Sequence, residues 1–508
     1  MTRIAWNFAL FSMCVMSLFG SFLSGIGTAQ QAGNSPVYIV IWFDTEDYIL
    51  PPSDDAAKTL AEFLTEEGVH ATFKVVGEKA RTLERRGRND VISALRDHDI
   101  GYHSNTHSQH PTPAEYESVL DWNTGAEEFT RREKSGFEDV RRIFGKTPCC
   151  YGQPGSSWAP QSFGALHSWG VRLYLDEGSQ VGLNGKPFWY GGLLNIFNTT
   201  EGERLRPDDK WDNLEQSKAN FREIYAAMSS DPHGGLISLY FHPCEFIHQW
   251  FWDMNFAKGA NPPREEWKAP PQKSVAEQKQ TFGYFEDLVR YMKTFPNVRF
   301  VTGSQAVDLY QDLAQERNFP AGDLTSIAKA VTSKVSFQEH GEYTLSPGEI
   351  LELLTAYVAK TVRKEDGPPT ARLSQITYGP SSPPPPLENE IRVSLPQFLS
   401  AVVDVRDFIT THHQIPDAVW LGSIPVPPED YLVALSGISS RLLASQNLPE
   451  TVTIAPAQLA TIEHVATDSV KVWNWPIFPE GFHSAHLMEL ARLQAWTLKP
   501  AILASAAH

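Results

Sequence analysis

Short apolar runs alternate with amphipathic stretches along the first three-fifths of the chain, and this alternation limits the fold more than any other feature. Residues 37–43 are continuously apolar and β-branched, the mark of a strand buried on both faces. Residues 54–67 carry Leu60, Phe63 and Leu64 at helical spacing and stop at Gly68. Residues 70–76 read as a second strand, 90–96 as a helix and 100–103 as a third strand. Further strands are expected at 148–151, 171–175, 236–241 and 298–301. Helices are expected within 113–144, 160–169, 213–228 and 272–292, and 188–197 is apolar with glycines. Alternation over about 280 residues predicts an α/β fold with a parallel sheet, and the number of units favours a distorted, closed or nearly closed (β/α) barrel.

Beyond Leu309 the pattern turns mainly helical, at 324–335, 346–361 and 395–410. The proline run at 381–386 reads as a semi-rigid spacer. At the other end, Thr2-Arg3, an apolar stretch over 4–23 and the small residues Gly27-Thr28-Ala29 read as an export signal. The expected division is a signal at 1–29, a barrel at 36–315 and a mainly helical region at 320–508. An exported protein of the periplasm or cell exterior, associated with the envelope, follows. A membrane enters only if the first segment is an uncleaved anchor.

The net charge of -17 argues against nucleic acid as a partner, because phosphate backbones demand cationic patches. Of four cysteines, Cys14 lies in the signal; Cys149, Cys150 and Cys244 do not form a disulfide framework pattern.

Candidate chemistry gathers at strand ends, where the active sites of such folds lie. Gly101-Tyr102-His103-Ser104-Asn105-Thr106-His107 sets two imidazoles four residues apart, able to face one metal. Asp44-Thr45-Glu46-Asp47 follows the first strand, Asp176 the fifth, and His242 the run Leu239-Tyr240-Phe241. A metal pair, clustered acids and a lone histidine make up the inventory of a metal-assisted hydrolase. His103, His107 and either Glu46 or Asp47 would hold a divalent ion, zinc being the first choice. Asp44 would be the general base, His242 would protonate the leaving amine, and Asp176 would orient His242. Trp189, Trp250 and Trp252 are expected in loops near this site, to offer aromatic faces to a substrate or to pack on the barrel rim.

These motifs resemble the polysaccharide deacetylase (NodB-like, carbohydrate esterase family 4) domain over roughly residues 37–309. The resemblance implies a distorted parallel barrel, a metal held by an acid and two histidines, and removal of acetyl groups from N-acetylated sugars of peptidoglycan, chitin or related polymers. Phe43-Asp44-Thr45-Glu46-Asp47, His103-Ser104-Asn105-Thr106-His107 and Leu239-Tyr240-Phe241-His242 match its first, second and fifth motifs. Tyr174-Leu175-Asp176-Glu177 offers the fourth. The third is reduced to Gly152-Gln153-Pro154-Gly155, without the family's arginine, and implies that Pro154 and Gly155 line the substrate site. In the family that arginine holds the base, so another cation must do so here or the activity is redirected. The alternatives are a metal-dependent hydrolase of an amide in a small molecule, and a catalytically silent wall-binding protein. Residues 392–437 resemble a pseudomurein-binding repeat, implying a cell-wall glycan partner.

Overall fold

The computed structural model describes residues 35–504 apart from 368 and 375, so the expected export signal lies outside the described residues. Among the described residues, no helix is long and apolar enough to cross a membrane.

The first strand, β1 (Val37–Thr45), is buried along its whole length, as its unbroken apolar run requires. Its two faces pack differently. Tyr38, Val40 and Trp42 point into an inner cluster with Leu173, Leu175 and Leu194. Ile39, Ile41 and Phe43 face the surrounding helices, where Phe43 stacks on Phe73. After β1 come α1 (Pro52–Glu66), β2 (Thr72–Val75), α2 (Gly77–Arg85), α3 (Asn89–Arg96) and β3 (Asp99–Tyr102). Next are α4 (Pro113–Glu117), α5 (Trp122–Phe144), β4 (Cys150–Tyr151), α6 (Ser162–Ser168) and β5 (Leu173–Leu175). A hairpin of β6 (Phe188–Tyr190) and β7 (Leu193–Ile196) turns at Gly191 and Gly192, both at positive φ. Then follow α7 (Leu214–Ser230), β8 (Gly235–Phe241), α8 (Val275–Lys293), β9 (Val298–Val301) and α9 (Gly303–Leu309).

The sheet runs β6-β7-β5-β4-β3-β2-β1-β8, with β9 sharing one edge of β1 with β2. Every pairing among β1–β5 and β7–β9 is parallel; β6 is antiparallel to β7. A flat sheet would hold the backbones of β2 and β5, three strands apart, roughly 14 Å from each other. Yet Lys74 of β2 and Asp176 beyond β5 touch at 2.6 Å, so the sheet curls around its inner cluster and the long lysine stem closes the rest. The barrel is distorted as expected. It does not close: among the described residues no strand joins β8 to the β6 end.

Besides α2, which lies where the sequence predicts no helix, two details differ from expectation. The helical region 113–144 is two helices, because Asp121 caps α5 by accepting from the Asn123 and Thr124 amides at 3.0 and 2.9 Å. The proline run is also no free spacer, since the Ser381 and Ser382 amides both donate to Asp417 Oδ1.

Beyond α9 lie the helices Ala321–Ala330, Pro347–Val362, Leu395–His412, Pro428–Leu443 and Ala485–Leu493, with short two-stranded pairings between them. The residues of the suspected repeat form the second strand-to-helix passage there, with a small antiparallel pair, Val419–Leu421 and Ile424–Val426, between two helices. The chain then returns to the barrel, where Lys499–Pro500 pairs with β6. Cys149, Cys150 and Cys244 are free thiols.

Candidate active site

His103 leaves β3 with its amide still bonded to the Val75 carbonyl at 3.1 Å, and its Nδ1 meets the Gly152 carbonyl at 3.0 Å. A carbonyl can only accept, so Nδ1 carries the proton and Nε2 presents a lone pair. His107 Nδ1 is taken up by Ser108 Oγ at 2.6 Å, which leaves its buried Nε2 facing Glu46. The loop reaches this shape through two non-glycine residues in the left-handed region, Ser104 (φ 64°) and His107 (φ 56°). Each costs roughly 1 kcal/mol, and the Ser104 hydroxyl, accepting from the His107 amide at 3.1 Å, helps to hold the turn.

Glu46 supplies the third atom. Its Oε2 lies 2.7 Å from His107 Nε2 and 3.6 Å from His103 Nε2. Its Oε1 accepts from the Trp252 indole at 2.9 Å, which fixes the carboxylate with one oxygen free. Two imidazole nitrogens and one carboxylate oxygen thus fall within 4.8 Å of one another, each oriented by a further partner. Three such ligands with room for a fourth suit a catalytic zinc. A second acidic group, Asp44 with His103 and Asp176, has comparable spacing. It already contains a cation, the Lys74 ammonium, and so needs no metal.

Asp47, the other carboxylate proposed for the metal, points elsewhere. Its Oδ1 accepts from the Ile49 and Leu50 amides at 2.8 and 3.2 Å, making a turn at the entrance to α1. Of the two acids left open by the sequence, geometry brings Glu46 to the histidines.

The cation expected to hold Asp44 stands on β2. Lys74 is fully buried, 2.9 Å from Asp44 Oδ1 and 2.6 Å from Asp176 Oδ2. A Cβ added at Gly152 would lie 2.1 Å from both Lys74 Nζ and Asp176 Oδ2. The lysine ammonium therefore fills the space that a side chain at 152 would occupy. One ammonium balances one carboxylate. Burial pushes Asp44 up, but His103, Lys74 and His242 outweigh it and leave its carboxyl below its usual value. Burial holds Asp176 up at about 7 against the pull of Lys74.

Asp176 therefore does not orient His242, as the sequence reading expected; Lys74 claims it first. The partner of His242 Nδ1 is Glu245, in the short 3-10 turn that follows β8. Arg206 grips Glu245 with one guanidinium nitrogen at 3.0 and 3.2 Å and the Tyr240 carbonyl with another at 2.7 Å. Burial alone would lower the His242 pKa, and Glu245 instead raises it to about 9. His242 Nε2 faces Asp44 Oδ2 at 3.6 Å.

These groups floor a cavity of about 1320 Å³. Gly155 and Trp250 line it; Pro154 is buried in the turn behind, its carbonyl accepting from Ser157. Trp189 is not at the cavity. It is a residue of β6, opposite Lys499, and packs against the inner cluster. Trp252 is buried beneath the site rather than displayed in it. Sequence reasoning missed Lys74, Arg206 and Glu245, and Trp475, which lines the cavity. Only Glu245 had a readable signal, a carboxylate three residues after His242 across a tight Pro243 turn.

No family model and no curated protein matches the chain. Among solved structures it is similar to the Bc1960 peptidoglycan N-acetylglucosamine deacetylase, at 14% identity over 52% of this chain and 85% of that one, TM-score 0.30. The PuuE allantoinase shares 12% identity over 57% and 98%, TM-score 0.36. A CE4-family pseudoenzyme from Bacillus anthracis shares 10% over 53% and 65%, TM-score 0.29. The chain is similar to polysaccharide deacetylases.

Proposed function

We propose that this chain is an exported, metal-dependent hydrolase that removes N-acetyl groups from an amino-sugar polymer of the cell envelope. The observation that carries the reading is one cavity floor holding three parts together: the Glu46/His103/His107 set, Asp44 braced by Lys74, and His242 braced by Glu245. A silent binder has no need of both braces. The apolar leader at 4–23 supports export.

A divalent ion such as zinc, when bound, would polarise the acyl oxygen and acidify water. The chain's own groups do the rest. Asp44, kept ionised by the Lys74 ammonium, takes a proton from the attacking water. His242, kept protonated by Glu245, gives a proton to the departing sugar nitrogen. Asp44 Oδ2 and His242 Nε2 are 3.6 Å apart, close enough to serve the two sides of one tetrahedral carbon. Trp252 and the Gly152 carbonyl hold the ligand side chains in register.

The test is acetate release from chitin oligomers and peptidoglycan by the purified chain, with and without a chelator. Release that stops with the chelator and in Asp44→Asn supports the proposal. Ammonia or urea release from small amides with no acetate from any glycan would replace it with the small-amide reading.

A further inference from the structure

The cavity above the candidate metal set is not built by the barrel alone. Residues 464–478, from the far end of the chain, cross its side as a strap. Gln180 ties one end: its carbonyl accepts from the Ala466 amide at 2.9 Å and its side-chain amide donates to the Val472 carbonyl at 3.1 Å. At the other end, the Lys258 and Gly259 amides donate to the Pro476 and Ile477 carbonyls at 3.0 and 2.9 Å. Its own Val472, Trp473, Ile477 and Phe478 are buried, so the strap is anchored by packing as well as by hydrogen bonds.

The strap brings Trp475 to the site. Its amide donates to Ser156 Oγ at 3.2 Å. Its indole lies over Gly155, where an added Cβ would come within 2.4 Å of the ring. The ring stands edge-on to His107, with centroids 5.5 Å apart and planes at 88°. It is half-buried and lines the cavity. So do Trp250, Phe251, Met254 and Val470, which are among the most exposed large apolar side chains of the described residues. Between these apolar surfaces the cavity wall carries the amides and hydroxyls of Gln153, Ser156, Asn198, Thr200 and Asn474 together with the carboxylates of Glu177, Glu203 and Asp253.

Exposed apolar groups gathered at one cavity mark a binding surface. Aromatic faces beside amides, hydroxyls and carboxylates, which accept from or donate to sugar hydroxyls, suit one ligand chemistry in particular, a pyranose ring with an apolar C–H face and a hydroxyl edge. We propose that the strap completes a sugar subsite beside the metal set, and that Trp475 is a substrate-binding residue carrying the face of a pyranose ring. The inference rests on the glycan reading above for the identity of the reacting group. Its binding surface stands apart from turnover.

Calorimetric titration of an N-acetylglucosamine tetramer into the chelator-treated full chain tests the subsite without turnover. Trp475→Ala should weaken binding about tenfold or more, and Trp475→Phe should recover most of it. Melting temperature and zinc content should stay unchanged. If Trp475→Ala melts early, Trp475→Leu fills the space without an aromatic face and should show the same loss. Equal affinity in the wild type and in the alanine and leucine variants would overturn the proposal, and so would a wild type that does not bind the tetramer. Binding that depends on Trp475 with no acetate released after zinc is restored would leave the subsite standing and bring down the deacetylase reading instead.

Discussion

Among single side chains, Lys74 and Gly152 have to be considered as a pair, since the ammonium of one occupies the space beside the other. Removing the lysine leaves two buried carboxylates facing each other without a cation. Lys74→Met should therefore lower stability by about 3–5 kcal/mol, read from the melting curve, and lower kcat about a hundredfold with KM little changed. Adding Gly152→Arg to Lys74→Met should return part of kcat, because it restores a cation from the neighbouring strand; Gly152→Arg alone should not be tolerated. Glu245 offers a pH test. The His242 pKa is raised above its free value, so the protonated pair contributes its stability below that value and loses it as pH rises through about 9. The alkaline limb of kcat/KM should lie near there, and in Glu245→Gln it should move down toward the ordinary histidine range. A limb that stays in place would remove Glu245 from the mechanism.

At the level of elements, strands were more legible than the braces between them. Residues 37–43 announced β1 because both faces of that strand are buried, and His103, His107, Asp44 and His242 could be found because each follows such a run. Lys74 could not. In Phe73-Lys74-Val75 an isolated charge in an apolar run looks like an outward-facing residue, whereas the curl of the sheet turns it inward between two acids. Helix α2 was also unread: it is rich in Glu, Lys and Arg, and its buried apolar positions amount to Ala80 and Leu83. Arg206 and Trp475 come from irregular segments whose approach to the site is set by tertiary packing; Trp475 meets Ser156 across 319 positions. Local capping can be checked separately. Asp121→Ala removes the acceptor at the start of α5 and should cost about 1 kcal/mol in thermal stability while leaving kcat unchanged.

Over the whole molecule, the helical half and the barrel are joined by more than a linker. Lys499 is buried, paired with Asp312 and Glu349, and its strand adds to β6. Tyr190 donates to the Ala491 carbonyl at 2.8 Å and the Gly191 amide to Thr497 Oγ1 at 2.8 Å. Calorimetry should show one cooperative unfolding transition, and two separated transitions would mean that the halves fold independently. The account as a whole depends on which carboxylate after β1 completes the metal set. The direct measurement is zinc content per chain, after equilibration with zinc and gel filtration, for the wild type, Glu46→Gln and Asp47→Asn. The geometry predicts one zinc in the wild type and in Asp47→Asn, and a loss in Glu46→Gln of about ten- to a hundredfold or more in affinity. Zinc retained by Glu46→Gln, or lost from Asp47→Asn alone, would contradict it.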